Sequence, residues 1–144
     1  MLVQITEFKK EFVDLYLDAY MSLSKDFSTM DIGIVKKYFQ DMLLNSSFYG
    51  FYFEQNGKAI GLILGYIMPG LIAPYYFLDD FLVMKNFQGK KYGTKMLNDL
   101  KERLKEKNIH SILLHTNAII PAYSFYLNNG FEPYENSTIM AINF

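Results

Sequence analysis

The sequence predicts a single α/β (mixed α+β) domain, a sheet with helices on its faces. Two observations carry that prediction. The apolar pattern alternates between helical and strand spacing in the order β-α-α-β-β-β-α-β-α-β-β. The chain has 144 residues, 51% of them hydrophobic, which suffices for one core, and no repeat, low-complexity run or linker divides residues 1–144.

Leu2–Ile5 reads as a short first strand. From Glu7 to Leu23, Phe8, Phe12, Leu15, Tyr16, Ala19 and Leu23 recur at helical spacing with one apolar face. Residues 27–31 break that helix, with Ser28 or Thr29 as the N-cap of the next one, which carries Ile34, Val35, Tyr38, Phe39 and Met42 on one side. Phe48–Gln55, Ala59–Ile67 and Tyr75–Met84 read as three successive strands, the first two joined by an Asn56-Gly57 hairpin turn. Tyr92, Met96, Leu100 and Leu104 mark a helix from Tyr92 to about Lys107, with Asp99–Arg103 and Glu102–Lys105 as its ion pairs. Ser111–Thr116 is a strand. Pro121 opens a last helix that stops at Gly130. Phe131–Tyr134 and Thr138–Phe144 close the chain as strands.

Composition excludes several function classes. The formal net charge is −1, so no bulk positive field recruits nucleic acid. There is no cysteine, which removes disulfides and thiolate chemistry, and no metal site is expected. The N-terminal stretch MLVQITEFKKEF lacks a basic segment followed by an apolar one, so no signal peptide is read there. Residues 59–78 carry no charge over about 20 positions, the length of a membrane span. Pro69-Gly70 and Pro74 interrupt them, and two buried strands explain the same residues, so no membrane partner is expected. These features fit a cytoplasmic protein.

Chemistry concentrates in DDFLVMKNFQGKKYGTKML, Asp79 to Leu97. Gln88-Gly89-Lys90-Lys91-Tyr92-Gly93-Thr94 lies where a strand ends and a helix begins. A helix N-terminus offers unpaired N–H groups and partial positive charge, glycine admits close backbone approach, and Lys90, Lys91 and Lys95 add charge. That is a phosphate or pyrophosphate site. A simple turn uses the same glycines. The spacing fits neither the P-loop nor the dinucleotide fingerprint.

This stretch resembles the acetyl-CoA-binding signature of the GCN5-related N-acetyltransferase (GNAT) superfamily: a strand ending in valine, a short turn, then Gln/Arg-x-x-Gly-x-Gly/Ala opening a helix. Gln88, Gly89 and Gly93 match, while Lys91 stands where the first signature glycine usually is. A second element, PAYSFYLNNGF, is similar to the family's A-x-x-[FL]-Y-x-x-x-G-F, with Ala122, Phe125, Tyr126, Gly130 and Phe131 in register. The resemblance is clearest over residues 75–134. It implies a mixed, mostly antiparallel sheet and direct transfer of an acetyl group from acetyl-CoA to an amine. It also implies that Leu82 and Val83 hold the pantetheine arm, that the loop from Gln88 to Thr94, Asn117 and Phe125 contact coenzyme A, and that Tyr126 protonates the departing thiolate.

Asp79 and Asp80 interrupt the apolar run YYFLDDFLVM, which costs burial energy unless they are paired or solvated. Alternation along a strand sends them to opposite faces, so they are expected to have separate roles. FLDDFLVM is locally similar to the corresponding strand of diamine and polyamine N-acetyltransferases. By that likeness Asp79 is the base, directly or through water, and Asp80 the anchor of a small cationic amine. Solvent-facing loop acids are the plainer reading. Glu54, His110 and His115 are weaker candidates. An alternative function is a non-catalytic acyl-CoA-binding or interaction module of the same fold. Edge strands and apolar surface are compatible with a homodimer.

Overall fold

The computed structural model describes residues 1–20 and 31–144. Five strands form one sheet in the order β1-β2-β3-β4-β5: β1 Leu2–Gln4, β2 Phe51–Gln55, β3 Lys58–Met68, β4 Tyr75–Val83 and β5 Ile112–Leu114. The first three pairings are antiparallel and β4–β5 is parallel. The helices are α1 Glu11–Tyr20, α2 Ile32–Leu44, α3 Tyr92–Lys105 and α4 Pro121–Asn128.

Two apolar clusters lie on the two sides of the sheet. One joins Phe12, Leu15, Val35 and Phe39 of α1 and α2 to Tyr52, Leu62, Leu64 and Leu82. The other joins Met96, Leu97, Leu100 and Leu104 of α3 to Phe51, Phe53, Ile63, Tyr76 and Leu78. Residues 59–78, apolar enough for a span, are β3, a Pro-Gly turn and the start of β4. Among the described residues no helix is long and apolar enough to cross a membrane. Asn56 and Gly57 make the β2–β3 turn with φ of 52° and 76°, a left-handed pair that Asn-Gly adopts readily.

Four expectations need correcting. The cap of α2 is Asp31, whose Oδ1 accepts from the Ile34 N–H at 2.9 Å; Ser28 and Thr29 lie outside the described residues, as does Leu23. Asp99 pairs with Lys95 at 3.4 Å rather than with Arg103, whose guanidinium donates to the Leu2 carbonyl at 3.5 Å; the expected Glu102–Lys105 pair is present at 2.7 Å. Phe48–Gly50 stand before β2, joined to β3 only by the bridge Phe48–Tyr66. Phe131–Tyr134 and Thr138–Phe144 form no strands. Pro133 has no N–H for a ladder, and Asn136 turns the chain at φ 61°, so a groove of about 990 Å³ separates these residues from the β5 edge.

Most consequential for the site is a β-bulge. Leu64 pairs with Asp80 but Gly65 pairs with Leu78, so Asp79 is an extra residue on β4. Beside it, the Tyr76 hydroxyl donates to the Tyr49 carbonyl at 2.7 Å inside the core. A Cβ on Gly65 would stand 2.5 Å from that hydroxyl and 2.4 Å from the Phe77 carbonyl oxygen. Gly65→Ala is therefore expected to destabilise the fold by about 2 kcal/mol or more through overpacking, read as a lower urea midpoint. An unchanged midpoint would show that β3 tolerates a side chain there.

Candidate active site

The bulge decides where each side chain of β4 points. Before it, Tyr76 and Leu78 pack with the α3 cluster; after it, Phe81 and Val83 do so. Asp80 and Leu82 go to the α1/α2 side. Simple alternation separates Asp79 from Asp80. With the extra residue both carboxylates reach one group: the Tyr38 hydroxyl lies 2.9 Å from Asp79 Oδ2 and 3.0 Å from Asp80 Oδ2. Tyr16 donates to Asp80 Oδ2, and Tyr20 to Asp80 Oδ1. Asp79 is exposed and Asp80 half-buried. No lysine, arginine or histidine among the described residues pairs with either acid.

In the sequence Tyr16 and Tyr38 read only as apolar-face residues, and Tyr20 is not singled out. The available signal was their chemistry: Tyr16 and Tyr20 sit one turn apart on α1, and Tyr38 on α2, where phenylalanine would pack as well. Burial first, and the charge of Asp80 second, push all three phenols above the ordinary tyrosine value.

On the other side of β4, β5 pairs only with Tyr76–Leu78. From Asp79 to Val83 this edge has no strand partner among the described residues, leaving backbone groups available apart from the Val83 carbonyl, which the Gln88 side chain takes. Helix α4 stands against the opening. The Phe125 ring packs on Phe81 with centroids 5.5 Å apart, and Tyr126 packs on Phe131 at 5.3 Å. Burial, and secondly the charge of Asp80, push the Tyr126 phenol up to about 12. Its hydroxyl has no hydrogen-bond partner among the described residues.

The loop from Gln88 to Thr94 turns into α3. The Gln88 side-chain amide donates to the Val83 carbonyl at 2.9 Å, folding the loop back on β4. Gly89 has φ 70°, and nothing stands within 4 Å of where a Cβ would be. Lys90 Nζ donates to the Asn86 carbonyl at 2.8 Å. Lys91 is the residue before α3 and has φ 66°, the left-handed conformation that glycine adopts without strain. Tyr92 packs on Phe87, at 5.6 Å, and on Phe53, at 6.1 Å. A Cβ on Gly93 would stand 3.1 Å from the Phe125 ring, so the two sequence signatures meet at this glycine.

Leu82 is buried in the α1/α2 cluster, while Val83, Phe81 and Phe125 line the α3/α4 side. Thr94 is half-buried in the first turn of α3. Asn117 is exposed between β5 and α4, and its Oδ1 accepts from the Ile119 N–H at 3.0 Å, a local turn. Glu54 stands on β2, away from β4. His110 and His115 border the groove outside β5, with the His115 ring edge on Phe77 at 5.2 Å.

The family model described as Acetyltransferase (GNAT) family matches residues 9–131. Among solved structures, the chain is similar to the aminoglycoside acetyltransferase meta-AAC0020 from an uncultured soil metagenomic sample, with a TM-score of 0.78 at 18% identity over 100% of this chain and 95% of that one. It is similar to the aminoglycoside N-acetyltransferase AAC(6')-Iy in complex with CoA, with a TM-score of 0.75 at 13% identity over 100% and 95% of the two chains. It is also similar to a ribosomal-protein-alanine N-acetyltransferase from Brucella melitensis biovar Abortus 2308, with a TM-score of 0.74 at 14% identity over 100% and 99%. At these identities the likeness is one of fold. No curated protein sequence is significantly similar to the chain.

Two expectations follow from the geometry. Lys91→Gly relieves a left-handed side chain at the cost of unfolded-chain entropy, a net gain of about 0.5–1 kcal/mol and a rise in Tm of roughly 2 °C. A fall in Tm would mean that the lysine side chain stabilises the loop. The phenols of Tyr16, Tyr20 and Tyr38 hold their protons more tightly folded than unfolded. Their contribution is complete below the unfolded value, near 10, and is lost as pH rises above it. Tm should stay level through about pH 9 and fall steeply beyond 10; a level Tm to pH 11 would contradict this.

Proposed function

The chain belongs to the acetyltransferase (GNAT) family and is an acyltransferase, and from that premise we propose that it carries an acetyl group from acetyl-CoA directly to a primary amine of a small, cationic, polyamine-like acceptor. The observation that carries the acceptor's charge is the acid pair. Asp79 and Asp80 have no cationic partner among the described residues, and the phenols around them are neutral. A cationic amine supplies the missing charge.

The donor side fits coenzyme A on observations of this chain. The unpaired β4 edge from Asp79 to Val83 offers backbone groups to an amide-bearing arm, the start of α3 offers N–H groups to a pyrophosphate, and the Tyr126 hydroxyl is uncommitted. Acetyl-CoA supplies an activated thioester. In the proposed reaction Asp79 takes the amine proton, directly or through water, and the freed nitrogen attacks the thioester carbon. The N–C bond forms, the C–S bond breaks, Tyr126 gives its proton to the departing sulfur, and the second proton shed by the acylated nitrogen restores the phenol. A phenol pushed up to about 12 stays protonated at neutral pH and is ready to donate. Holding both partners in reacting geometry supplies much of the rate. The alternative of a non-catalytic module draws on Lys91 in place of a glycine and on Asn117, which lies further upstream of α4 than the family's usual asparagine. The left-handed backbone that a glycine favours is nevertheless adopted at Lys91, so the loop geometry gives that reading no support.

Calorimetric titration with acetyl-CoA, followed by a free-thiol release assay on a panel of monoamines and diamines, tests the proposal. Binding with amine-dependent thiol release is expected. Tyr126→Phe should lower kcat on the order of 10²-fold with acetyl-CoA affinity unchanged. Binding without release on any amine would return the chain to the non-catalytic module, and equal loss of kcat and affinity would remove Tyr126 from the acid's role.

A further inference from the structure

The proposed reaction makes no use of Tyr16, Tyr20 or Tyr38, although all three hydroxyls converge on the acid pair. A carboxylate offers about four lone-pair sites. On Asp80, Tyr16 and Tyr38 both donate to Oδ2, and Tyr20 donates to Oδ1. Little acceptor capacity is left. Asp79 accepts from Tyr38 through Oδ2, and its Oδ1 has no partner among the described residues. The single O–H of Tyr38 is shared between the two acids.

The donors matter by their charge as well as their number. An arginine or lysine would order the carboxylates and also cancel them. A phenol orders a carboxylate and leaves its charge intact. The same three rings are built into the helix layer: Tyr16 stacks on Tyr20 at 4.8 Å, and Tyr38 meets Tyr16 edge-on at 5.9 Å and Phe39 at 6.3 Å. Tyr16 is 7% exposed. The cluster is therefore held by core packing and does not depend on a ligand to form.

We infer that Tyr16, Tyr20 and Tyr38 are positioning residues of the acceptor site. They occupy most of the acceptor sites of Asp80, so that it acts as a fixed charge rather than a direct contact, and Tyr38 ties Asp79 to it, so that the free oxygen of Asp79 meets the amine. The inference rests on the acceptor reading proposed above and divides the roles of the two acids. Asp79 becomes the group the amine touches, and Asp80 the buried charge behind it.

Tyr38→Phe keeps the ring and removes one shared hydroxyl. Steady-state thiol release should show the KM for 1,4-diaminobutane rising about tenfold, the magnitude of one hydrogen bond to a charged group, with the KM for acetyl-CoA unchanged. Against an Asp79→Asn background the same change should have little further effect on the amine KM, since the tethered carboxylate is gone. An unchanged amine KM, or equal shifts in both substrates' KM values, overturns the inference. Should the wild-type protein release no thiol with any amine, the proposed function falls separately. Calorimetric binding of 1,4-diaminobutane then decides. About tenfold weaker binding to Tyr38→Phe supports the tyrosine roles. Equal binding by both proteins, or none by the wild type, overturns them.

Discussion

The β3–β4 pairing slips by one residue between Leu64 and Gly65, and the geometry of the site follows from that slip. A strand with unbroken alternation that buries Tyr76 and Leu78 against α3 also sends Asp80 into that apolar layer. The extra residue, Asp79, reverses the alternation. Phe81 and Val83 can then rejoin the α3 side, while Asp80 turns to the tyrosines of α1 and α2. Gly65 is part of the same device, because the Tyr76 hydroxyl and the Phe77 carbonyl occupy the space a side chain would take. The cost of breaking a strand's alternation is met by a buried hydrogen bond from Tyr76 and three donors to Asp80.

What was legible in the sequence tracks how local each cause is. The Asn56-Gly57 hairpin, the four-residue spacing of Met96, Leu100 and Leu104, and Pro121 at the start of α4 are short-range signals, and the structure has those elements close to the expected bounds. The convergence of Asp79 and Asp80 on Tyr38 depends on register across two strands and on residues about 40 positions apart in the chain, and periodicity carries neither. The closing strands failed for a related reason. Thr138–Phe144 has strand composition, but pairing needs an edge, and β5 offers three residues across a groove. Arg103 took a backbone carbonyl of β1 because tertiary packing brought Leu2 within reach, a partner that helix spacing cannot anticipate.

Lys91 separates residue identity from backbone conformation. As a letter it departs from the signature. As a backbone position it conforms, since its φ of 66° is where a glycine is at ease. A side chain in that conformation stores roughly 1–2 kcal/mol of strain, small enough for α3 packing to hold. Gly93 is constrained differently, by the Phe125 ring 3.1 Å from where a Cβ would stand. One position of the loop therefore needs a conformation and another needs the absence of a side chain. This explains how the first tolerates lysine while the second leaves little room for any side chain.

The sheet also separates the two halves of the proposed reaction. Asp80 and its tyrosines lie on the α1/α2 side, and Tyr126 and Phe125 on the α3/α4 side. Yet the charge of Asp80 is the second cause holding the Tyr126 proton. This coupling has a direction under the proposed reaction. With the acceptor site empty, Asp80 opposes loss of the Tyr126 proton. A cationic acceptor bound beside the acids offsets that charge and makes the phenol a better acid when an amine is present to react. Burial remains the larger cause and is unaffected, so the effect trims the barrier and does not replace the hydrogen bond to sulfur. When a monoamine passes a proton to Asp79, the proton stays in the site and the net charge there is unchanged. A diamine keeps a second ammonium beside the acids through the whole step, and the same geometry therefore favours acceptors carrying two charges.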